Sequence, residues 1–205
     1  MQDAIQITKH VDAAIDHEAY QYESMWQRSI PQVAWGTLLL FFGIITGYTL
    51  VISGALAGII PYPVAILVCG YFAFASFTVL HDAGHGSIFK MGSRFKRLEV
   101  LIGWAASIPM LVAPFRLFQK IHDRHHAFTN DPERDPDYFG DNKHILTVLA
   151  HSYYIPFKYH VLSATKLKHL KIFRDTYPST IVYFSFMLGG LLTLVLNGFA
   201  LEILC

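Results

Sequence analysis

Residues 32–58, QVAWGTLLLFFGIITGYTLVISGALAG, carry no charged side chain, and after the uncharged turn Ile59-Ile60-Pro61-Tyr62-Pro63 a second apolar run, VAILVCGYFAFASFTVL, fills 64–80. A spanning helix needs about 20 apolar residues, because inside a bilayer the backbone must satisfy its own hydrogen bonds. The spacing predicts spans at about 32–58 and 64–85, the second running straight into His81. So short a turn makes them an antiparallel hairpin. The whole composition agrees: 53% of residues are hydrophobic and 15% charged, against roughly 25% charged in ordinary soluble domains. A net charge of +1 provides no field to attract nucleic acid, which is excluded as a partner. Cys69 and Cys205 sit in apolar surroundings and form neither a disulfide framework nor a Cys-x-x-Cys motif.

The charge distribution orients the hairpin. Of sixteen Lys and Arg, fourteen lie between 81 and 177, and the hairpin turn has none. By the positive-inside rule the turn faces outward, and the N-terminus faces the cytoplasm. Residues 1–30 form a polar cytosolic segment with Asp3, Asp12, Asp16, Glu18 and Glu23 and no apolar core before a cleavage site. The membrane segments themselves are therefore expected to direct insertion. Residues 31–205 form the membrane domain. Within it, 98–114 is apolar but short and contains Pro109 and Pro114, so it is expected to be interfacial or re-entrant rather than spanning. Residues 144–171 read as a further helix at the interface. A third span is expected at about 179–200, with a turn at Asn197-Gly198. The fold class is all-α integral membrane: an antiparallel transmembrane hairpin, interfacial helices and at least one further span.

Two tight histidine clusters follow these apolar stretches: His81-Asp-Ala-Gly-His85 and His122-Asp-Arg-His125-His126. On a helix, positions i, i+3 and i+4 share a face. His81 and His85 can therefore aim at one point about 6 Å apart along the axis, and His122, His125 and His126 at another. Keeping 98–114 out of a spanning role places both clusters on one side, here the cytoplasmic one. Neutral imidazole is a common ligand for iron, zinc and copper. A lone pair at i, i+4 arises readily by chance, but three histidines in five residues beside a membrane span point to a metal site. Zinc fits less well than iron: five histidines exceed its usual four ligands and no Cys takes part. Spacing alone leaves copper open. Metal-bound imidazoles donate their second N–H to a carboxylate or carbonyl, and Asp82, Asp123 and Asp131 are the candidates. The Asp131–Asp137 run is also a turn former, because Pro fixes φ and Asp bonds nearby backbone; an acid there can orient a box histidine or pair with Arg124 or Arg134. Lys90, Arg94, Lys96 and Arg97 are placed at anionic headgroups.

The stretch VLHDAGHGSIF resembles the first histidine box of the membrane-bound fatty acid desaturases, and HDRHHAFTNDPERDPDYF resembles their second box with its acidic run. The resemblance is close over roughly 60–140. It implies a di-iron centre that uses O₂ to dehydrogenate an acyl-lipid or acyl-carrier substrate, with electrons from a ferredoxin- or cytochrome-type donor. Carried over residue by residue, His81, His85, His122, His125 and His126 are implied iron ligands. A third His-x-x-His-His box does not occur in these 205 residues; His144, His151, His160 and His169 are scattered. The family's eight or so ligands are thus reduced to five, and the sequence reads as a truncated, C-terminally incomplete member with little or no activity alone. Two other readings stand beside it: a carotenoid ketolase or hydroxylase with similar boxes, and an inactive membrane fragment that retains ligands.

Overall fold

A computed structural model describes residues 32–90, 92–110, 113–138 and 144–196, with backbone alone for 148–156, 172 and 194. The polar segment 1–30 and the expected turn at Asn197-Gly198 lie outside the described residues. The fold is all-helical: α1 (Trp35–Leu56), α2 (Tyr62–Gly84), α3 (Lys96–Met110), α4 (Phe115–Ala127), α5 (Ile145–Ala164), the single turn α6 (Lys171–Arg174) and α7 (Tyr177–Leu196). Among the described residues there is no strand, only an isolated antiparallel bridge between Val33 and Phe89.

Helices α1 and α2 have 22 and 23 residues and are apolar enough to cross a membrane. At 1.5 Å per residue each exceeds the hydrocarbon thickness of about 30 Å. They form the expected hairpin. Gly58 takes the left-handed conformation, at φ 71°, where a side chain would be strained. Pro61 caps α2 and Pro63 falls in its first turn, where a missing N–H costs no helical hydrogen bond. The two helices close on each other at Gly47, where an added Cβ would sit 2.3 Å from the Phe72 ring, and Tyr48 Oη donates to Cys69 O at 2.9 Å. Their outer faces are apolar as well: Leu67 and Phe74 are 75% and 76% exposed. Such a surface is costly in water and natural in lipid.

The short apolar segment after the first histidine pair forms α3, and α4 leaves it at 93°. Pro109 sits in the last turn of α3, and Pro114 caps α4 with extended backbone. The elbow is packed tightly. Phe115 is 1% exposed, and a Cβ on Gly103 would stand 2.4 Å from its ring. Leu117, Phe118 and Ile121 of α4 enter the same core as Val79, Leu80 and Ala83 of α2 and Ile102 and Ala106 of α3. Gln119 Nε2 donates to Gly84 O at 2.9 Å, tying α4 to the end of α2. The elbow therefore brings the second histidine cluster back to the first.

The loop between α2 and α3 is clamped from below. Buried Glu99 accepts from Phe89 N at 3.0 Å and pairs with Lys96 at 3.2 Å. Lys96 Nζ also donates to Phe89 O at 2.9 Å and to Gly86 O. Lys96 is thus turned inward rather than to headgroups, because the Gly86 turn leaves carbonyls for it to bind; Arg94 and Arg97 remain exposed. On the far side, Tyr183 of α7 donates to Ser107 O of α3 at 2.9 Å. Tyr159 of α5, Leu167 and Phe173 complete the core.

Candidate metal centre

The last turn of α2 carries His81, and His85 caps the helix. In α4, His122 and His126 lie one turn apart on the face toward α2. The four rings meet. Centroids are 4.5 Å apart for His81–His85, 4.7 Å for His81–His122, 4.7 Å for His85–His126 and 4.5 Å for His122–His126. One ligand nitrogen from each lies within 4.8 Å of the others. The Nε2 of His122 is 3.1 Å from the Nε2 of both His85 and His126. An imidazole nitrogen offers one proton or one lone pair, so it satisfies one such neighbour well and not two. Nitrogens about 2.1 Å from a shared ion stand roughly 3 to 4 Å apart. The donor set fits a metal ion, and it is all nitrogen.

Burial disfavours the charged form of His85, His122 and His126. His122 is buried, and its pKa is pushed down to about 2, first by desolvation and then by the neighbouring imidazoles. Burial also lowers His126, with help from His125 and His81. Phe118 stacks on His122 with centroids 5.1 Å apart, and Phe77 stands 6.0 Å from His81. His81 Nδ1 faces Asp82 Oδ1 at 3.5 Å, and Thr37 Oγ1 of α1 donates to Asp82 Oδ2 at 2.5 Å. Asp82 therefore stands on the Nδ1 side of His81, where a carboxylate can accept that N–H and leave Nε2 for a metal.

The family model for fatty acid desaturases matches residues 57–204, a stretch that includes both histidine boxes and the acidic run. The chain belongs to the fatty acid desaturase family. It is 41% identical over 78 residues to "Omega-3 fatty acid desaturase fat-1" of Caenorhabditis elegans, covering 38% of this chain and 18% of that protein. It is 42% identical over 66 residues to "Delta(12) fatty acid desaturase fat-2" of the same organism, covering 32% and 16%. To the "sn-1 acyl-lipid omega-3 desaturase (ferredoxin)" of Synechocystis sp. it is 32% identical over 104 residues, covering 51% and 27%. The chain therefore spans only about a sixth to a quarter of the length of these relatives. No solved structure matches it.

Four of the five histidines read from this desaturase-family sequence converge on one point. The fifth, His125, lies beside them, 5.6 Å from the His126 ring. Its Nδ1 faces Asp135 Oδ1 at 2.8 Å. Of the three acids expected to orient ligands, Asp82 stands against His81. Asp123 pairs with Lys120 at 3.4 Å. Asp131 binds Arg134 at 2.5 Å and accepts the N–H groups of Glu133 and Arg134, closing its own turn. The acid of this run nearest a box histidine is Asp135, four residues further along. The sequence singled out Asp131 from this run; which acid reaches the histidine depends on how the turn closes. Sequence reasoning missed Thr37 and Gln119; single polar residues distant in the chain carry no local signal. Of the scattered histidines, His144 and His169 are exposed, and His160 packs on Phe184 at 5.0 Å. The side chain of His151 lies outside the described residues.

Proposed function

We propose that this chain is a desaturase-type membrane oxidoreductase whose His81, His85, His122 and His126 hold iron beside an acyl-chain cleft. The observation that carries the reading is the meeting of four ligand nitrogens, from two helices distant in sequence, within 4.8 Å at the end of a membrane-length hairpin. Iron supplies, when bound, activation of O₂: with two electrons from a ferredoxin- or cytochrome-type donor and two protons, two hydrogens leave adjacent carbons, giving an alkene and two waters. The chain's residues do the rest. The four imidazoles bind the ion, Asp82 fixes the direction of His81, and Phe77 and Phe118 exclude water from one side.

An apolar cleft of about 550 Å³ opens between α1, α2, α3 and α7, lined by Phe41, Ile44, Val79, Ala106, Ile108 and Met187 among others. Its volume falls in the range of about 300–1,000 Å³ usual for small-molecule sites. Val79 precedes His81 by two residues, about 3 Å of helix rise. An acyl chain in this cleft would run along α2 toward the histidines. The membrane domain, 31–205, carries α7 as its third span, with the α3–α4 elbow re-entrant and α5 interfacial. We assign the histidines to the cytoplasmic side because fourteen of sixteen Lys and Arg fall between 81 and 177.

The five box histidines fall short of the family's eight or so, so little or no turnover is expected from these 205 residues by themselves. The decisive measurement is metal content after anaerobic loading with Fe(II) in detergent. Binding near one ion per chain, lost in His122→Ala, is expected; no iron retained by the unaltered chain would overturn the reading. For the substrate, a photoreactive acyl lipid should crosslink to the segment around Ala106 and Met187. Crosslinking confined to the outer faces of α1 and α2 would remove the cleft from the proposal.

A further inference from the structure

His125 sits at the centre of a polar network that the four-histidine site does not use. Asp135, whose side chain is 2% exposed, is held on both oxygens. Its Oδ2 accepts from Asn130 N at 2.9 Å. Its Oδ1 accepts from Asp137 N at 2.8 Å and faces His125 Nδ1 at 2.8 Å. A carboxylate only accepts, so His125 Nδ1 carries the proton in this bond. The position of Asp137 is in turn set from another helix. Tyr159 Oη of α5 donates to Asp137 Oδ1 at 2.6 Å, and Lys158 Nζ, next along α5, donates to Tyr138 O at 3.2 Å. Tyr159 is a buried core residue. Burial and the nearby Asp137 and Asp135 carboxylates hold its hydroxyl well above the ordinary phenol range, so it remains a donor. Burial also raises Asp137.

We propose that Tyr159 is a positioning residue for His125: by anchoring Asp137 it holds the N–H that fixes Asp135, and Asp135 then locks His125 in the Nδ1–H tautomer with Nε2 as its free lone pair. The inference deepens the metal-centre reading, since a histidine committed at Nδ1 can serve a metal only through Nε2. Its geometry comes from three separate chain segments: the second box, the acidic turn and α5.

The test reads the tautomer rather than turnover. The chain is labelled with ¹⁵N-histidine, purified metal-free in detergent micelles, and the two ring nitrogens of His125 are assigned by long-range ¹H–¹⁵N correlation. Wild type is expected to show a protonated Nδ1 and an unprotonated Nε2, well separated in shift. Tyr159→Phe is expected to collapse that separation. Tyr183→Phe, which loses a buried hydroxyl bound to Ser107 O, is expected to lower stability comparably and leave His125 unchanged. Asp137→Ala, which keeps the backbone N–H but removes the oxygen that Tyr159 holds, is expected to collapse the separation in the same way and serves where Tyr159→Phe folds poorly. The proposal is overturned by an Nε2–H tautomer in wild type, or by unaltered His125 shifts in folded Tyr159→Phe or folded Asp137→Ala. Because no metal is present, these outcomes are independent of the iron-loading result. A chain that binds no iron but shows the tautomer shift would sink the metal reading alone.

Discussion

His122 Nε2 lies 3.1 Å from His85 Nε2, across 37 residues of chain. Two imidazole nitrogens at this distance must share either one proton or one positive ion. Removing either should therefore cost more than a surface histidine would. His85→Ala and His122→Ala are each expected to weaken Fe(II) or Co(II) binding by at least roughly 100-fold, the upper end of what removing an outer-shell partner costs. His169→Ala, at an exposed loop position, is expected to change nothing. Titration followed by the Co(II) absorption spectrum checks this, and equal losses in all three variants would contradict it.

Asp82 and Thr37 are expected to act as one unit behind His81. Asp82→Ala removes the carboxylate beside His81 Nδ1 and should lower metal affinity about 10- to 100-fold. Thr37→Val deletes the hydroxyl that holds Asp82 and should lose less. In the double variant the loss should match that of Asp82→Ala alone, since coupled residues are not additive. Additive losses would show that Thr37 acts by another route.

The elbow between α3 and α4 depends on a missing side chain. Gly103→Ala forces a Cβ to within 2.4 Å of the Phe115 ring, and Phe115 is fully enclosed. Overpacking of this kind costs about 1–3 kcal/mol. Thermal unfolding in detergent should show it as a lower midpoint, with metal capacity falling as α4 shifts. Gly36→Ala, with nothing within 4 Å, should leave both unchanged. A midpoint unaltered in Gly103→Ala would mean that the elbow is looser than its packing indicates.

Lys96 and Glu99 should separate from the metal site in their effects. Lys96→Met leaves Glu99 buried without its cation, a loss of about 3–5 kcal/mol for such pairs. The double change Lys96→Met, Glu99→Leu should recover most of it. Equilibrium unfolding of the single and double variants decides the matter, and a Lys96→Met variant as stable as wild type would contradict the clamp.

The hairpin was readable because a bilayer permits few alternatives. Uncharged runs of spanning length must become helices, and a short Pro-containing turn makes them neighbours. Helices α1 and α2 accordingly fall close to the expected 32–58 and 64–85. The histidine pairs were readable for a similar reason. Residues i and i+4 share a helix face whatever surrounds them, so His81 with His85, and His122 with His126, were visible as pairs. The resemblance of the two boxes to desaturases agrees with the family match over 57–204.

What local periodicity left open was how the pairs meet and which neighbours serve them. In sequence, His122, His125 and His126 are equivalent members of one cluster. The 93° elbow and the packing of Phe118 against α2 turn His122 and His126 toward the first pair and leave His125 to Asp135. Asp131 and Asp135 look alike on paper, yet one closes a turn with Arg134 and the other meets a box histidine. Such choices depend on contacts between residues 10 to 45 positions apart, and nearest-neighbour chemistry carries no record of them. Helix formation follows from local hydrogen bonding and hydrophobic pattern. Convergence of side chains requires the packed whole.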